Sequence, residues 1–258
     1  MKKGFFVLPA LLLFSCMTTR QAAHYTRMHS ALADSMLAKA LDYEAVYSLL
    51  DTLKPISSIL TIKMDPAAAP VSTDTIILYQ QLCQELSTRQ VQLVAIPFRQ
   101  AYEDKKLVEL YAVNLHRYRS RINEYGAFFA KLGITSETPP VQTISIVENA
   151  DKYDRWRAYG YLFGYPGYAV DFFVQAGMTQ DSTGEFVKRD FFQIPVQAGI
   201  QGHFTYAMPK GYTPGIADST LYYKALHTLQ SYQQLREKYI TSQGMRARQL
   251  WADWYKSR

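Results

Sequence analysis

A mixed, helix-rich α/β domain is the fold class this sequence predicts. The expected architecture is a single domain with a small central sheet of three parallel strands, a hairpin toward the C-terminus, and long helices packed around them. Three observations predict it. Apolar residues recur at three- and four-residue spacing through much of the chain, as on amphipathic helices. Short alternating or unbroken apolar runs separate those stretches, as in strands. The two kinds of segment alternate in order, which favours parallel neighbours joined by right-handed crossovers. With 48% apolar and 19% charged residues, the chain can bury a core, and wholesale disorder is excluded.

Residues 27–53 read as the first helix, on a stripe of Met28, Leu32, Met36, Ala40, Tyr43, Tyr47 and Leu50, and Pro55 stops it. Ile56 to Met64 alternates and predicts a strand. Asp65 to Pro70 is a loop, after which Asp74 is the expected cap of a helix carrying Ile76, Tyr79, Cys83 and Leu86 on one face. Val91 to Ile96, ended by Pro97, is a buried strand. Leu107, Tyr111, Leu115, Tyr118, Ile122, Tyr125, Phe129 and Leu132 then repeat without a miss, predicting one long helix from Phe98 to Leu132 that Gly133 ends. Gln142 to Val147 alternates and supplies the third strand.

In the second half, Asp151 to Gly177 reads as two helices broken at Gly164-Tyr165-Pro166-Gly167, with Pro166 starting the second. Phe186 to Ile194 and His203 to Met208 are expected to pair. Asp218 caps a closing helix with Tyr222, Ala225, Leu229, Tyr232, Arg236 and Tyr239 on its stripe. Gly244 interrupts it before a last basic stretch, Met245 to Arg258, in which Leu250, Trp251 and Trp254 share a face expected to dock on the protein. No repeat or linker divides residues 27–258.

The leader carries the sharpest signal. Met1-Lys2-Lys3 is a cationic start, followed by an apolar run from Phe5 to Phe14 that is too short to span a bilayer. It ends in Leu13-Phe14-Ser15-Cys16, which resembles the lipobox of bacterial lipoproteins, departing from it at the bulky Phe14. That resemblance implies cleavage after residue 15, lipidation of the Cys16 thiol, and a tether over residues 16–26. It also implies anchorage in the cell envelope. Met17 follows the cysteine in place of the aspartate that marks inner-membrane retention, so the outer membrane is the expected address, facing the periplasm or the surface. The formal net charge of +6 includes Lys2 and Lys3, and what remains is too mild to call for nucleic acid. Cys83 is the one other cysteine, which leaves no disulfide to form, and its apolar face predicts an inert, buried thiol.

Chemistry is harder to read. The chain has no HExxH, paired CxxC, GxxxxGK[ST], GxGxxG or GxSxG motif, and no metal or cofactor is expected. The densest unusual segment is Tyr153 to Phe173, where aromatic residues outnumber what one stripe can bury. Arg155, Trp156, Arg157, Tyr159, Tyr161, Tyr165 and Tyr168 form the candidate binding set, suited to an anionic or planar ligand or to a protein partner. The bland alternative is a tyrosine-rich core with Asp151 and Arg155 as a surface pair. His203 is a weak catalytic candidate at a strand start, with Asp171 or Asp190 as its carboxylate. His24 and His29 read as solvated. His116, Arg117, Arg119 and Arg121 read as a solvated helix face with Arg121 and Glu124 paired, or else as a contact for an anionic headgroup or acidic partner. The leading expectation is a lipid-anchored, non-catalytic binding domain. Its rivals are a hydrolase or transferase built on His203, and a structural envelope component docking through Trp251 and Trp254.

Overall fold

The computed structural model describes residues 28–256. The leader, Cys16, His24 and the tether lie outside them, as do the last two residues. In chain order the elements are α1 (28–42), α2 (Val46–Leu49), β1 (Ile56–Met64), α3 (Ala69–Leu86), β2 (Val91–Tyr102), β3 (Lys105–Asn114) and α4 (Leu115–Glu124). They continue as α5 (Gly126–Lys131), α6 (Pro140–Asn149), α7 (Lys152–Leu162), α8 (Gly167–Thr183), β4 (Arg189–Val196), β5 (Gly199–Pro209) and α9 (Ile216–Arg236). A two-residue pair, β6 (Ile240–Thr241) and β7 (Gly244–Met245), precedes α10 (Ala247–Lys256).

The fold is mixed and helix-rich, but the expected parallel sheet is wrong. The three-stranded sheet has the order β1-β3-β2, and every pairing is antiparallel. Two misread segments account for the error. The expected long helix from Phe98 to Leu132 is instead the end of β2, a tight turn, all of β3, and then α4 and α5. Glu103 and Asp104 both take positive φ (50° and 60°), the geometry of a two-residue hairpin turn that matches strand twist. Seven successive residues of β3, Val108 to Asn114, are buried, because a central strand covered on both faces needs no alternation. Its apolar residues therefore also satisfied a helical spacing. The expected strand at Gln142 to Val147 is the helix α6, started by Pro140, whose buried positions Pro140, Thr143, Ile144, Val147 and Glu148 follow helical spacing.

Smaller corrections follow the same physics. The first helix breaks at Tyr43–Ala45, which frees Asp42 to hold Arg236 (2.8 Å) and Tyr232 (2.6 Å). Asp74 lies inside α3, which begins at Ala69 with a proline in its first turn. The closing helix ends at Arg236, and Asp218 is its third residue, its carboxylate accepting the Gly215 N–H at 2.8 Å. Gly244 belongs to the β6–β7 turn.

The sheet separates two apolar layers. On one side Val94, Ile96, Tyr111 and Val113 pack with α4, α5, α6 and α7. On the other, Leu93, Val108, Leu110 and Ala112 pack with α1, α2, the β4–β5 hairpin, α9 and α10. Cys83 is buried in this second layer, and burial pushes its thiol up to about 12. Trp251 and Trp254 are buried there too, so their indoles are spent on the chain's own core. Among the described residues, no helix is long and apolar enough to cross a membrane.

Candidate functional site: an aromatic pocket behind the hairpin

The aromatic segment makes a helical hairpin. At the end of α7, the Tyr165 N–H reaches the Gly160 carbonyl and the Gly164 N–H reaches that of Tyr161, both at 3.0 Å. This double bond closes the helix through a left-handed residue, here Gly164 at φ 82°. Pro166 then admits α8. The two helices approach closely because Gly160 has no side chain: a Cβ there would fall 2.7 Å from a Val170 methyl.

Between α7, α8 and the outer face of β4–β5 lies a pocket of about 330 Å³, within the range of small-molecule sites at its lower end. Trp156, Phe163, Tyr165 and Phe173 supply rings from the helices, and Phe191, Thr205 and Ala207 face them from the hairpin. Tyr159 stacks on Phe163 (5.6 Å between centroids) and Trp156 meets Phe173 at 5.3 Å. The Tyr159 hydroxyl is already committed, donating to the buried Glu148 at 2.7 Å. Beneath this lining the Thr205 Oγ is buried, with no hydrogen-bond partner among the described residues, a costly arrangement for a hydroxyl.

A buried cation stiffens the pocket from behind. Lys54 is fully buried, its Nζ 2.7 Å from a Glu44 carboxylate oxygen. The ammonium lies over the rings of Phe204 (4.2 Å), Phe163 (5.3 Å) and Tyr165 (5.7 Å). Burial lowers its pKa, and the Glu44 charge and hydrogen bond oppose that shift. Phe163 and Tyr165 are thus held between a cation on one side and the pocket on the other.

The expected binding set divides four ways. Trp156, Tyr159 and Tyr165 line the pocket. Tyr161 is turned away and buried, stacked on Tyr125 at 3.7 Å, while Arg157 bonds the Tyr161 hydroxyl (3.1 Å) and pairs with Asp171. Tyr168 instead reaches Asp218 and stacks on Tyr212 at 5.5 Å. Arg155 makes no ion pair among the described residues and does not line the pocket, so the pocket holds no arginine.

His203 lies edge-on to Tyr43 at 4.8 Å. Neither expected carboxylate joins it: Asp171 is on Arg157, and Asp190 accepts from Lys210 (2.6 Å) and the Gly211 N–H (2.8 Å). Among the described residues there is no cluster of His, Cys, Asp and Glu able to hold a metal. The basic α4 face also differs from expectation. The Arg121–Glu124 pair forms at 2.9 Å, yet Arg121 is buried, its Nε donating to the Tyr161 carbonyl at 3.0 Å. His29 is half-buried, 3.7 Å from Glu85.

Sequence reasoning missed Phe191, Thr205 and Ala207, which alternate along two paired strands. Asp218 and Lys54 were missed as buried charges, and the half-buried Glu44 as the partner of Lys54. A threonine set among Phe204, Tyr206 and Met208 carries no motif; its significance comes from the helices that cover it. The chain matches no family model, no curated protein and no solved structure. What fold and site define is therefore a class: an α/β domain with an aromatic pocket closed between a helical hairpin and a β-hairpin.

Proposed function

We propose that this chain is a lipid-anchored cell-envelope domain that binds a small, largely apolar planar ligand and performs no chemistry on it. The carrying observation is the ring-lined pocket itself, with Trp156, Tyr159, Phe163, Tyr165, Phe173 and Phe191 around a volume of about 330 Å³. Ring faces accept a planar body by stacking. The described lining of the pocket holds no arginine, which favours an uncharged ligand. The lipobox resemblance at Leu13-Phe14-Ser15-Cys16 supports the envelope address.

Calorimetric titration with 1-naphthol and indole, each a planar probe carrying one polar hydrogen, tests the reading. The expected result is binding that Phe173→Ala weakens about fivefold, the loss of one ring contact, and that Ala207→Leu abolishes by filling the space. Absence of binding by both probes, or equal affinity in all three proteins, contradicts it.

A further inference from the structure

A second concavity, of about 1320 Å³ and open to solvent, runs between α4 and α9; it shares no lining residue with the aromatic pocket, although Gly164 and Pro166 in its wall flank the pocket residue Tyr165. Its charge is one-sided. Arg117 and His116 enter it from α4, and Lys224 and His227 from α9. The lining carboxylate is Asp51, and it is engaged: it accepts the Thr52 N–H at 2.6 Å and the Thr228 hydroxyl.

Arg117 is the group this arrangement leaves unsatisfied. Asn114 caps α4 by accepting the Arg117 N–H at 3.0 Å, and its amide donates to the carbonyls of Asp51 (2.9 Å) and Ser48 (3.2 Å). The start of α4 is thereby fixed against the loop that forms the groove's far wall. The Arg117 guanidinium is half-buried, with one long contact to the Ser120 hydroxyl at 3.5 Å and no ion pair among the described residues. One turn on, Arg121 is fully occupied by Glu124 and by the carbonyls of Tyr161 and Tyr165. Burial first, and then the neighbouring Arg121 charge, lower the Arg117 pKa. The Glu124 charge opposes this shift without reversing it, and an oxyanion placed against the guanidinium would offset it further.

We infer that this groove is a binding site for a phosphate or carboxylate group carried on a small hydroxylated molecule, with Arg117 as the principal contact. A guanidinium presents a planar fork of donors that suits these oxyanions, and Lys224 from the facing helix adds a point charge. The groove exceeds what an isolated ion fills. Its rim offers the Thr220 and Ser120 hydroxyls and the exposed Tyr223 ring, which suit a polyhydroxylated body such as a sugar. The site is separate from the aromatic pocket and shares no argument with it.

Titration of the full chain with glucose 6-phosphate at low ionic strength tests the assignment, with glucose and inorganic phosphate as partial ligands. The Cys16→Ser form serves for parallel sedimentation with phosphatidylglycerol vesicles, so that an acyl anchor contributes nothing. The expected result is binding of glucose 6-phosphate that exceeds that of phosphate, none by glucose, and about a tenfold loss in Arg117→Gln. Lys224→Gln should lose less, and Lys131→Gln, on an exposed helix elsewhere, nothing. Binding of 1-naphthol by Arg117→Gln should be unchanged, which keeps failure of this site distinct from failure of the pocket. No binding of glucose 6-phosphate, or equal binding in Arg117→Gln and Lys224→Gln, overturns the inference. Arg117-dependent vesicle binding without glucose 6-phosphate binding assigns the oxyanion to a lipid headgroup and overturns the small-molecule form.

Discussion

Asp218 ties three elements together with one side chain. It is fully buried, and accepts hydrogen bonds from Tyr206 on β5 (2.6 Å), from Tyr168 on α8, and from the Gly215 N–H before α9. Burial works to raise its pKa, but the Tyr168, Tyr206 and backbone donors outweigh it and hold the carboxyl below its ordinary value. The sign of the pH effect follows. A depressed folded value means the stabilisation is complete above the unfolded carboxyl pKa, near 3.9, and is lost as pH falls through the lower folded value. Asp218→Asn should cost about 1.5–3 kcal/mol at neutral pH, and urea midpoints measured from neutral pH downward should converge with those of the native chain in strong acid. Lys54 makes a matching case. Removing it strands Glu44, so Lys54→Met should destabilise by about 3 kcal/mol, while Lys54→Met with Glu44→Gln should recover part of that loss. A double-mutant cycle in urea reads the coupling directly.

At the scale of elements, legibility followed how local the signal was. The break between α7 and α8 was readable because Gly164 and Pro166 impose it through backbone geometry alone. The β4–β5 pairing was readable from local alternation, but the expected glycine-containing loop is strand: the turn is Gln197-Ala198, and Gly199 and Gly202 lie within β5. Failure came where tertiary burial overrode the period. Val108 to Asn114 is buried on both faces, so its sequence lost the alternation that marks a strand, and Leu107, Tyr111 and Leu115 fell by coincidence on a helical spacing. The pocket was half legible: its helical rings stand in one dense run, whereas Thr205 and Ala207 gain meaning only from what covers them. The groove was less so, since Arg117 and His227 are joined by the fold alone. The docked face of α10 agrees with its sequence pattern: Leu250, Trp251 and Trp254 are buried, and the Tyr255 hydroxyl bonds the Leu49 carbonyl at 2.6 Å. Truncation after Thr241 should therefore lower the melting temperature by roughly 10 °C or more, given about 3–5 kcal/mol for one fully buried large ring. An unchanged melt would show that α10 does not support the core.

For the whole molecule, the proposed anchor would tether a domain whose pocket sits between a helical hairpin and a β-hairpin, with Val170 from one apolar layer and Ala169 and Tyr206 from the other in its lining. The anchor makes its own prediction. Intact mass of protein purified from bacterial membranes should show a chain beginning at Cys16 and carrying acyl groups, and Cys16→Ser should show none; a mature N-terminus without acyl mass contradicts the lipoprotein reading. The central claim concerns the pocket. Methyl-resolved NMR of the native chain, titrated with 1-naphthol, addresses it most directly. Saturable shifts are expected at the methyls of Ala169, Val170, Thr205 and Ala207, which line the pocket, with those of Ile134 and Val147, which do not, unmoved. Shifts confined to other methyls, or none at any concentration that dissolves, would contradict it.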